Sequence, residues 1–226
     1  MKLKTKHVVF ILIGLATLYV LNHNERFVIE PDNPAWQRYG PFKWVLLPHA
    51  IFGSITLLSA PFQFSDRLRQ RFPKVHRIMG RLYVLGVLVL APTGAYIQYF
   101  QERLGAPRSF TVLGVVDAVL LMGTTALALL FAVRRKIALH RQWAIRSYAV
   151  ALVFIFARFF LGVTGAETLG VEMVQAVIWS CLVVSVVAGD VAIHWREIGA
   201  ALKGSTTKPI PSREHRIPEP VVRRAA

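Results

Sequence analysis

Residues 110–133 read FTVLGVVDAVLLMGTTALALLFAV and contain one ionisable side chain, that of Asp117. An α-helix needs about 20 apolar residues to cross the hydrocarbon core of a bilayer. A membrane β-barrel would instead show segments of about ten residues with alternating hydrophobicity. The uninterrupted apolar run therefore predicts a transmembrane α-helix.

Five other apolar runs lie along the chain. Backbone polar groups in lipid must be satisfied within the protein, so runs of this kind fold as helices. The sequence thus predicts an all-α integral membrane bundle of about six transmembrane helices. The predicted helices cover residues 8–21, 44–62, 82–100, 110–133, 143–162 and 171–193.

The domain organisation follows from what lies between these runs. Lys2, Lys4 and Lys6 precede the first run, as in a secretory signal, but residues 20–23 show no small-residue cleavage pattern. We therefore interpret this run as an uncleaved anchor. The C-terminal tail is rich in Pro and Arg without apolar periodicity, which is typical of disorder. We expect an anchor helix at 1–22, an outer loop long enough to cap the bundle at 23–43, the membrane bundle at 44–194 and a basic, disordered tail at 195–226.

The charge of the chain predicts its topology. The 226 residues are 54% hydrophobic and 17% charged, with a formal net charge of +15 and one cysteine. An ordinary soluble domain carries about 25% charged residues, and a disulfide-built domain needs several cysteines. A net charge of +15 usually suggests nucleic acid, but 21 of the 27 Lys and Arg residues fall on one side of a six-helix topology. By the positive-inside rule, this side and both termini are cytoplasmic. We expect anionic phospholipid headgroups, and no nucleic acid, as partners of the basic segments.

Two similar motifs open the third and fifth predicted helices. Residues 76–83 read HRIMGRLY and residues 140–148 read HRQWAIRSY, so both contain His-Arg, a short spacer and Arg-x-Tyr. Each motif follows an apolar run and a basic loop, which favours two parallel repeats about an axis along the membrane normal. Such a repeat places His76 and His140 at the same depth on the cytoplasmic side.

This pair suggests a haem site. A haem iron in an electron-transfer cytochrome takes two axial ligands, and facing helices of a bundle can supply one histidine each. His76 and His140 are therefore candidate ligands of haem b, and no other metal site is expected. The candidate partners of the haem propionates, which guanidinium groups bind through paired hydrogen bonds, are Arg77, Arg81, Arg141 and Arg146. The alternative is that both motifs only anchor helix ends to headgroup phosphates.

A second polar set lies toward the predicted outer side. His49, Asp117 and Arg158 fall within about 10 Å of the outer boundary at a rise of 1.5 Å per residue, and Tyr96 and Gln98 reach a similar depth. Ionisable groups in lipid are costly unless they are paired or face a cavity, so we expect Asp117 and Arg158 to be partners across helices. The set forms either a structural ion pair or a pocket for a quinone head or another small polar molecule.

The two motifs carry a resemblance to a known family. The chain resembles the DUF2306 family of bacterial predicted membrane proteins over about residues 49–190. The resemblance implies a multi-span protein of a bacterial inner membrane and brings no established activity with it, and Asp117 lies outside the family pattern. At fold level the chain is also similar to cytochrome b561-type bundles, although its fourth predicted helix has no histidine, so at most one bis-histidine haem is expected. The residues that match the family motifs are His76, Arg77, Gly80, Arg81, Tyr83, His140, Arg141, Trp143, Arg146, Ser147, Tyr148 and Arg158.

Three functions are compatible with these features. The first is a b-type haem or quinone-linked redox protein, which as an enzyme would be an electron-transfer or quinone-linked membrane oxidoreductase. The second is a haem-free transporter or small-ligand-binding protein that uses the outer pocket. The third is a non-catalytic accessory membrane protein whose motifs only set the topology.

Overall fold

The computed structural model of the chain describes residues 5–23 and 26–202. Short 3-10 segments at Arg26–Val28, Gly40–Phe42 and Ala166–Leu169 join some of its helices. The α-helices are α1 (Thr5–His23), α2 (Ala35–Tyr39), α3 (Lys43–Gln63), α4 (Asp66–Arg71), α5 (Pro73–Arg103), α6 (Arg108–Val133), α7 (Ile137–Ala151), α8 (Val153–Thr164) and α9 (Val171–Leu202).

The prediction of an all-α membrane bundle is confirmed. Five helical segments of the described residues are long and apolar enough to cross a membrane, and a shorter apolar helix, His7–His23, precedes them. The five segments are Gly40–Gln63, Pro73–Arg103, Arg108–Val133, Ile137–Thr164 and Val171–Leu202.

The helix boundaries differ from the predicted ones in three places. The fifth predicted helix consists of α7 and α8, which meet at Leu152. Helix α5 begins at Pro73, so the first His-Arg motif is already helical. Helix α9 continues to Leu202, into the segment predicted to be a disordered tail. Good helix formers such as Ala, Glu and Leu extend a helix beyond its apolar part, and the rest of the predicted tail, residues 203–226, lies outside the described residues.

The chain divides into two compact units, Met1–Ile193 and His194–Ala226. Within the first unit, α3 and α5 run antiparallel, as their contacts show. The Gln63 side chain, at the end of α3, donates to the His76 carbonyl near the start of α5 (2.9 Å). Near the other end of the pair, His49 contacts Leu90 and Thr93.

The two ends of the bundle differ in their connections. The loop end carries the connections at residues 26–42, 104–107 and 165–170, and the basic end carries those at 64–72 and 134–136. Between them, α3 and α5 approach closely because Gly86 has no side chain. A Cβ at this position would collide with the Thr56 hydroxyl and press on the Phe52 carbonyl. Small residues at helix contacts are typical of membrane proteins, in which packing replaces the hydrophobic driving force.

Helix α1 belongs to the bundle wall. Val20 is 1% exposed, and Tyr19 packs edge-on against Phe159 of α8. Gly162 of α8 leaves room for the Tyr19 ring, since a Cβ there would lie 2.9 Å from the Tyr19 hydroxyl. The first apolar run is thus a packed helix that shields residues of the later helices.

Aromatic residues of the segment that follows α1 cover the loop end. Phe27 is buried between Tyr39, with ring centroids 4.9 Å apart, and Trp36, at 5.2 Å. Phe42 continues this cluster and reaches Phe100 at the end of α5 (5.3 Å). We refer to residues 26–42 as the cap.

Candidate functional site

A cavity of about 230 Å³ lies under the cap at the loop end. Helices α3, α5, α6 and α8 contribute most of its wall, and the Val20 side chain of α1 closes one side. The wall is largely apolar, but each of the four helices adds polar side chains. These side chains are His49 and Ser54 from α3, Gln98 and Gln101 from α5, Asp117 from α6 and Arg158 from α8.

The contacts of His49 fix its tautomer. Its Nδ1 lies 3.1 Å from the Leu90 carbonyl oxygen and 3.2 Å from the Thr93 hydroxyl. The Thr93 hydroxyl donates its own proton to the carbonyls of Val89 and Leu90, so toward His49 it acts as an acceptor. Both neighbours of Nδ1 are therefore acceptors, and Nδ1 carries the proton. In a neutral imidazole this leaves Nε2 as an acceptor, and no hydrogen bond among the described residues uses it.

Gly94 allows this histidine to lie against α5. A Cβ at Gly94 would come within 3.0 Å of the His49 Cε1 atom. The missing side chain of Gly94 and the contacts of Nδ1 with Leu90 and Thr93 thus hold His49 in the cavity wall.

Asp117 is the most deeply buried acidic group of the cavity. Asp117 is only 8% exposed, and its Oδ1 is buried without a hydrogen-bond partner among the described residues. Asp117 and Arg158 line the same cavity, and their partnership across helices stays a prediction.

The structure does not bring Tyr96 into this cavity. Tyr96 is 47% exposed and packs against Tyr99 and Phe100 on the outside of α5. Gln98, which was expected at the same depth, lines the cavity together with its neighbour Ile97. Sequence reasoning also missed Phe27, Val28 and Tyr39, the cap residues that close the wall, because nothing in the sequence shows how the cap folds back.

His76 and His140 both lie near the basic end. The Nδ1 of His140 donates to the Ala128 carbonyl oxygen (2.8 Å), which leaves its Nε2 as an acceptor. The Nδ1 of His76 is buried and has no partner among the described residues. The two imidazoles lie within electrostatic range of each other. The described residues contain no group of three or more His, Cys, Asp or Glu that could hold a metal ion.

The arginines of the two motifs occupy different surroundings. Arg77 and Arg81 are exposed, and Arg141 lies 3.9 Å from Asp66, also at the surface. Arg146 is more enclosed: its Nε donates to Asp190 of α9 at 2.8 Å, and its guanidinium lies over the Trp143 ring. Arg146 therefore already has a carboxylate partner.

The space beside Gly80 is occupied. The Gln63 side chain lies against it, because a Cβ at Gly80 would lie 3.2 Å from the Gln63 Oε1 atom. The same side chain donates to the His76 carbonyl. The two helices are thus in direct contact through Gln63 at this level of the first motif.

A buried chain of hydroxyl groups connects the two motifs. The Tyr83 hydroxyl lies 2.7 Å from the Ser147 hydroxyl, which lies 2.7 Å from the Thr125 hydroxyl, and Thr125 donates to the Leu121 carbonyl. Since each hydroxyl has one proton and the chain ends on a carbonyl, Tyr83 donates to Ser147 and Ser147 donates to Thr125. This cluster of Tyr83, Thr125 and Ser147, which we call the hydroxyl cluster, joins α5, α6 and α7. Its sequence signal was the tyrosine and serine that accompany the His-Arg motifs.

The Glu30 carboxylate organises the cap. It accepts hydrogen bonds from the Asn33 side chain (2.8 Å) and from Arg26 (2.6 Å), and the Glu30 carbonyl accepts one from the Trp36 indole. The hydrogen bond from Asn33, followed by that from Arg26, lowers the pKa of Glu30 below its ordinary value. The ionised form of Glu30 therefore favours the folded cap.

The comparison with known families agrees with the motifs. A family model described as a predicted membrane protein, DUF2306, matches residues 46–193, which include both His-Arg motifs and most of the cavity wall. No curated protein and no solved structure matches the chain. The match covers more than half of the sequence, and the chain therefore belongs to the DUF2306 family of predicted membrane proteins.

Proposed function

We propose that this membrane protein binds a small, mostly apolar molecule with a polar head, of the quinone class, in the cavity under the cap. The observation that carries the proposal is the convergence of His49, Asp117 and Arg158 on an otherwise apolar cavity of about 230 Å³. Ligand sites typically combine apolar walls with a few polar groups that fix orientation. Ionisable groups at membrane depth usually face a cavity because exposure to lipid is costly.

Each polar group has a distinct capacity in this proposal. The Arg158 guanidinium is a donor to carbonyl oxygens of a ligand head. The His49 Nε2 is an acceptor and a site for proton exchange near neutral pH. The Asp117 carboxylate is a second acceptor, through oxygen. A redox role would use the same groups to exchange protons with a quinone, whereas a transport or sensing role would use them only for binding.

Ligand-induced stabilisation of the purified protein tests the proposal. We expect tetramethylbenzoquinone or its hydroquinone to raise the thermal unfolding midpoint. Filling the cavity with Ala50→Phe should abolish this shift, because Ala50 lines the cavity. Ala126→Phe is the matched control, since Ala126 is exposed on the outside of α6. The proposal would be overturned if the midpoint still rises in Ala50→Phe, or if neither the quinone nor the hydroquinone raises the midpoint of the wild type.

We further propose that the basic end faces the cytoplasm of a bacterium, with both termini on that side and the arginines of the basic end near anionic phospholipid headgroups. The positive-inside rule supports this orientation. The single cysteine, Cys181, is buried, so Cys181→Ser provides a background for accessibility labelling. In spheroplasts, a membrane-impermeant maleimide should label Leu104→Cys at the loop end but not Gln70→Cys at the basic end. The reverse pattern would invert the topology.

A second candidate function is haem binding by His76 and His140. It is favoured by the hydrogen bond from His140 Nδ1 to the Ala128 carbonyl, which orients the ring and leaves Nε2 available as a ligand. The unpartnered Nδ1 of His76 also fits a ligand at this position. Bound haem would supply one-electron transfer. Arg77, Arg81 and Arg141 would be the motif arginines available to its propionates, since Arg146 already pairs with Asp190. Gln63 would have to leave Gly80 for a ring to approach there.

The absorption spectrum of the protein purified from haem-replete cells tests this candidate. We expect a Soret band that is lost in both His76→Ala and His140→Ala. His194→Ala is the control, because this histidine lies outside both motifs. A colourless wild-type protein would exclude the haem function and leave the cavity proposal unaffected.

A further inference from the structure

The cavity wall presents acceptors that have no donor among the described residues. The Nε2 of His49 is an acceptor because Nδ1 holds the proton between two other acceptors. The Asp117 carboxylate accepts no hydrogen bond from the described residues, and its Oδ1 is buried. A buried acceptor that is left unmatched costs about 1–3 kcal/mol. An occupant with donors in the right places would supply hydrogen bonds to His49 and Asp117.

The charges of the wall favour a neutral occupant. Asp117 and Arg158 carry opposite formal charges, and no other acidic or basic side chain of the described residues lines the cavity apart from His49. A charged ligand would add a further charge to an apolar region of the bundle, which is unfavourable at membrane depth. A neutral ligand adds none.

The remainder of the wall favours an apolar body of modest size. Leu46, Ala50, Leu57, Leu121, Phe154 and Ile155 line the cavity, and the Phe27 and Tyr39 rings lie at its cap side. A flat apolar ring can pack against such side chains while its substituents reach the polar groups. The volume of about 230 Å³ suits a single substituted ring.

From these observations we infer that the occupant is a neutral aromatic ring with two hydroxyl groups, a hydroquinone, whose hydroxyls donate to the His49 Nε2 and to the Asp117 carboxylate. The inference rests on the proposed binding function and specifies the form of ligand that is bound. A quinone lacks donors and leaves both acceptors unmatched. The hydroquinone therefore binds more tightly than the oxidised ring or the etherified ring.

Three ligands of one ring size test the inference: tetramethylhydroquinone, its dimethyl ether and tetramethylbenzoquinone. Their dissociation constants are measured by calorimetry on the full chain in lipid nanodiscs without oxygen. We expect the hydroquinone to bind about 10- to 100-fold more tightly than its ether, which is the effect of leaving buried acceptors unmatched. His49→Phe and Asp117→Leu should each reduce the ratio of the ether's dissociation constant to that of the hydroquinone. Tyr96→Phe, outside the cavity, should keep it.

The outcomes separate this inference from the binding function itself. Equal affinity for all three rings would overturn the inference and keep the proposed function. Absence of binding by any ring would overturn both. Tighter binding of 4-methylbenzylammonium than of the hydroquinone would show a cation site and overturn the neutral class. Should Asp117→Leu fail to fold, Asp117→Asn takes its place, because it replaces one acceptor oxygen at constant shape. This variant should still lower the ratio of the two dissociation constants.

Discussion

The hydroxyl cluster around Ser147 and the polar groups around Asp117 are both buried in this bundle, but only the first is internally satisfied. Tyr83, Ser147 and Thr125 form a continuous chain of hydrogen bonds that ends on a carbonyl. Asp117 keeps an unpartnered oxygen beside a cavity. Satisfied buried networks make a fold rigid and specific, whereas unmatched groups beside empty space mark a place for a ligand.

The largest expected effect is a loss of stability in the half of the bundle that contains the hydroxyl cluster. It tests how tightly α3 and α5 pack there. Gly86→Ala would place a methyl group against the Thr56 hydroxyl and the Phe52 carbonyl. Since a backbone carbonyl cannot move aside, we expect a loss of about 3 kcal/mol in the free energy of unfolding, the upper part of the range for overpacking. Equilibrium unfolding of the detergent-solubilised protein in SDS measures it.

Gly123→Ala is the matched control for this prediction. A Cβ at Gly123 meets nothing within 4 Å, and Gly123 lies inside α6. Alanine should therefore stabilise the helix by up to about 1 kcal/mol. Equal effects of the two substitutions would show that the contact of α3 with α5 is looser than described.

The second effect concerns the hydroxyl cluster itself. Ser147→Ala removes the group that accepts from Tyr83 and donates to Thr125, and it leaves the Tyr83 hydroxyl buried without a partner. We expect a loss of about 2 kcal/mol in the free energy of unfolding, with unchanged affinity for ligands of the cavity. Ser180→Ala, on the exposed side of α9, should have little effect. A change in ligand affinity without a change in stability would contradict a structural role for the cluster.

The contrast between these regions also explains which residues could be predicted from the sequence. Each residue advances a helix by 1.5 Å, so counting along an apolar run gives the depth of a side chain. Depth correctly grouped His49, Asp117 and Arg158 at the level of one cavity. The same counting located His76 and His140 near one end of the bundle.

The direction in which a side chain points around its helix could not be predicted in the same way. Successive residues are rotated by about 100°, and a helix that is apolar on all sides gives no signal for which side is buried. Tyr96 was therefore expected in the cavity although its neighbours Ile97 and Gln98 line it. The hydrogen bond between Tyr83 and Ser147 depends on the same rotation and on the packing of α5 against α7.

A smaller effect is expected at Asp117, where one substitution should change stability and ligand affinity in opposite directions. Asp117→Asn replaces a buried carboxylate by a neutral group of the same shape. We expect stability to rise by about 1 kcal/mol, because an unpartnered buried charge is unfavourable, while ligand affinity falls. Such opposition is typical of functional sites. Thermal unfolding with and without tetramethylhydroquinone measures both effects, and a loss of stability in the ligand-free protein would mean that Asp117 is a structural group.

The smallest effect concerns the cap, where polar groups are satisfied but exposed. The pKa of Glu30 is lowered from 4.5 by the hydrogen bond from Asn33 and then by that from Arg26. The carboxylate therefore stabilises the cap fully above pH 4.5, and this contribution is lost as the pH falls through the lowered pKa. We expect tetramethylhydroquinone to dissociate slightly faster from the wild type in that acidic range. Glu30→Gln should show the faster dissociation at every pH, because its amide cannot accept from Arg26 with the strength of a carboxylate. Stopped-flow dissociation compares the two proteins, and a steep acid dependence that survives in Glu30→Gln would assign the titration to the cavity rather than to the cap.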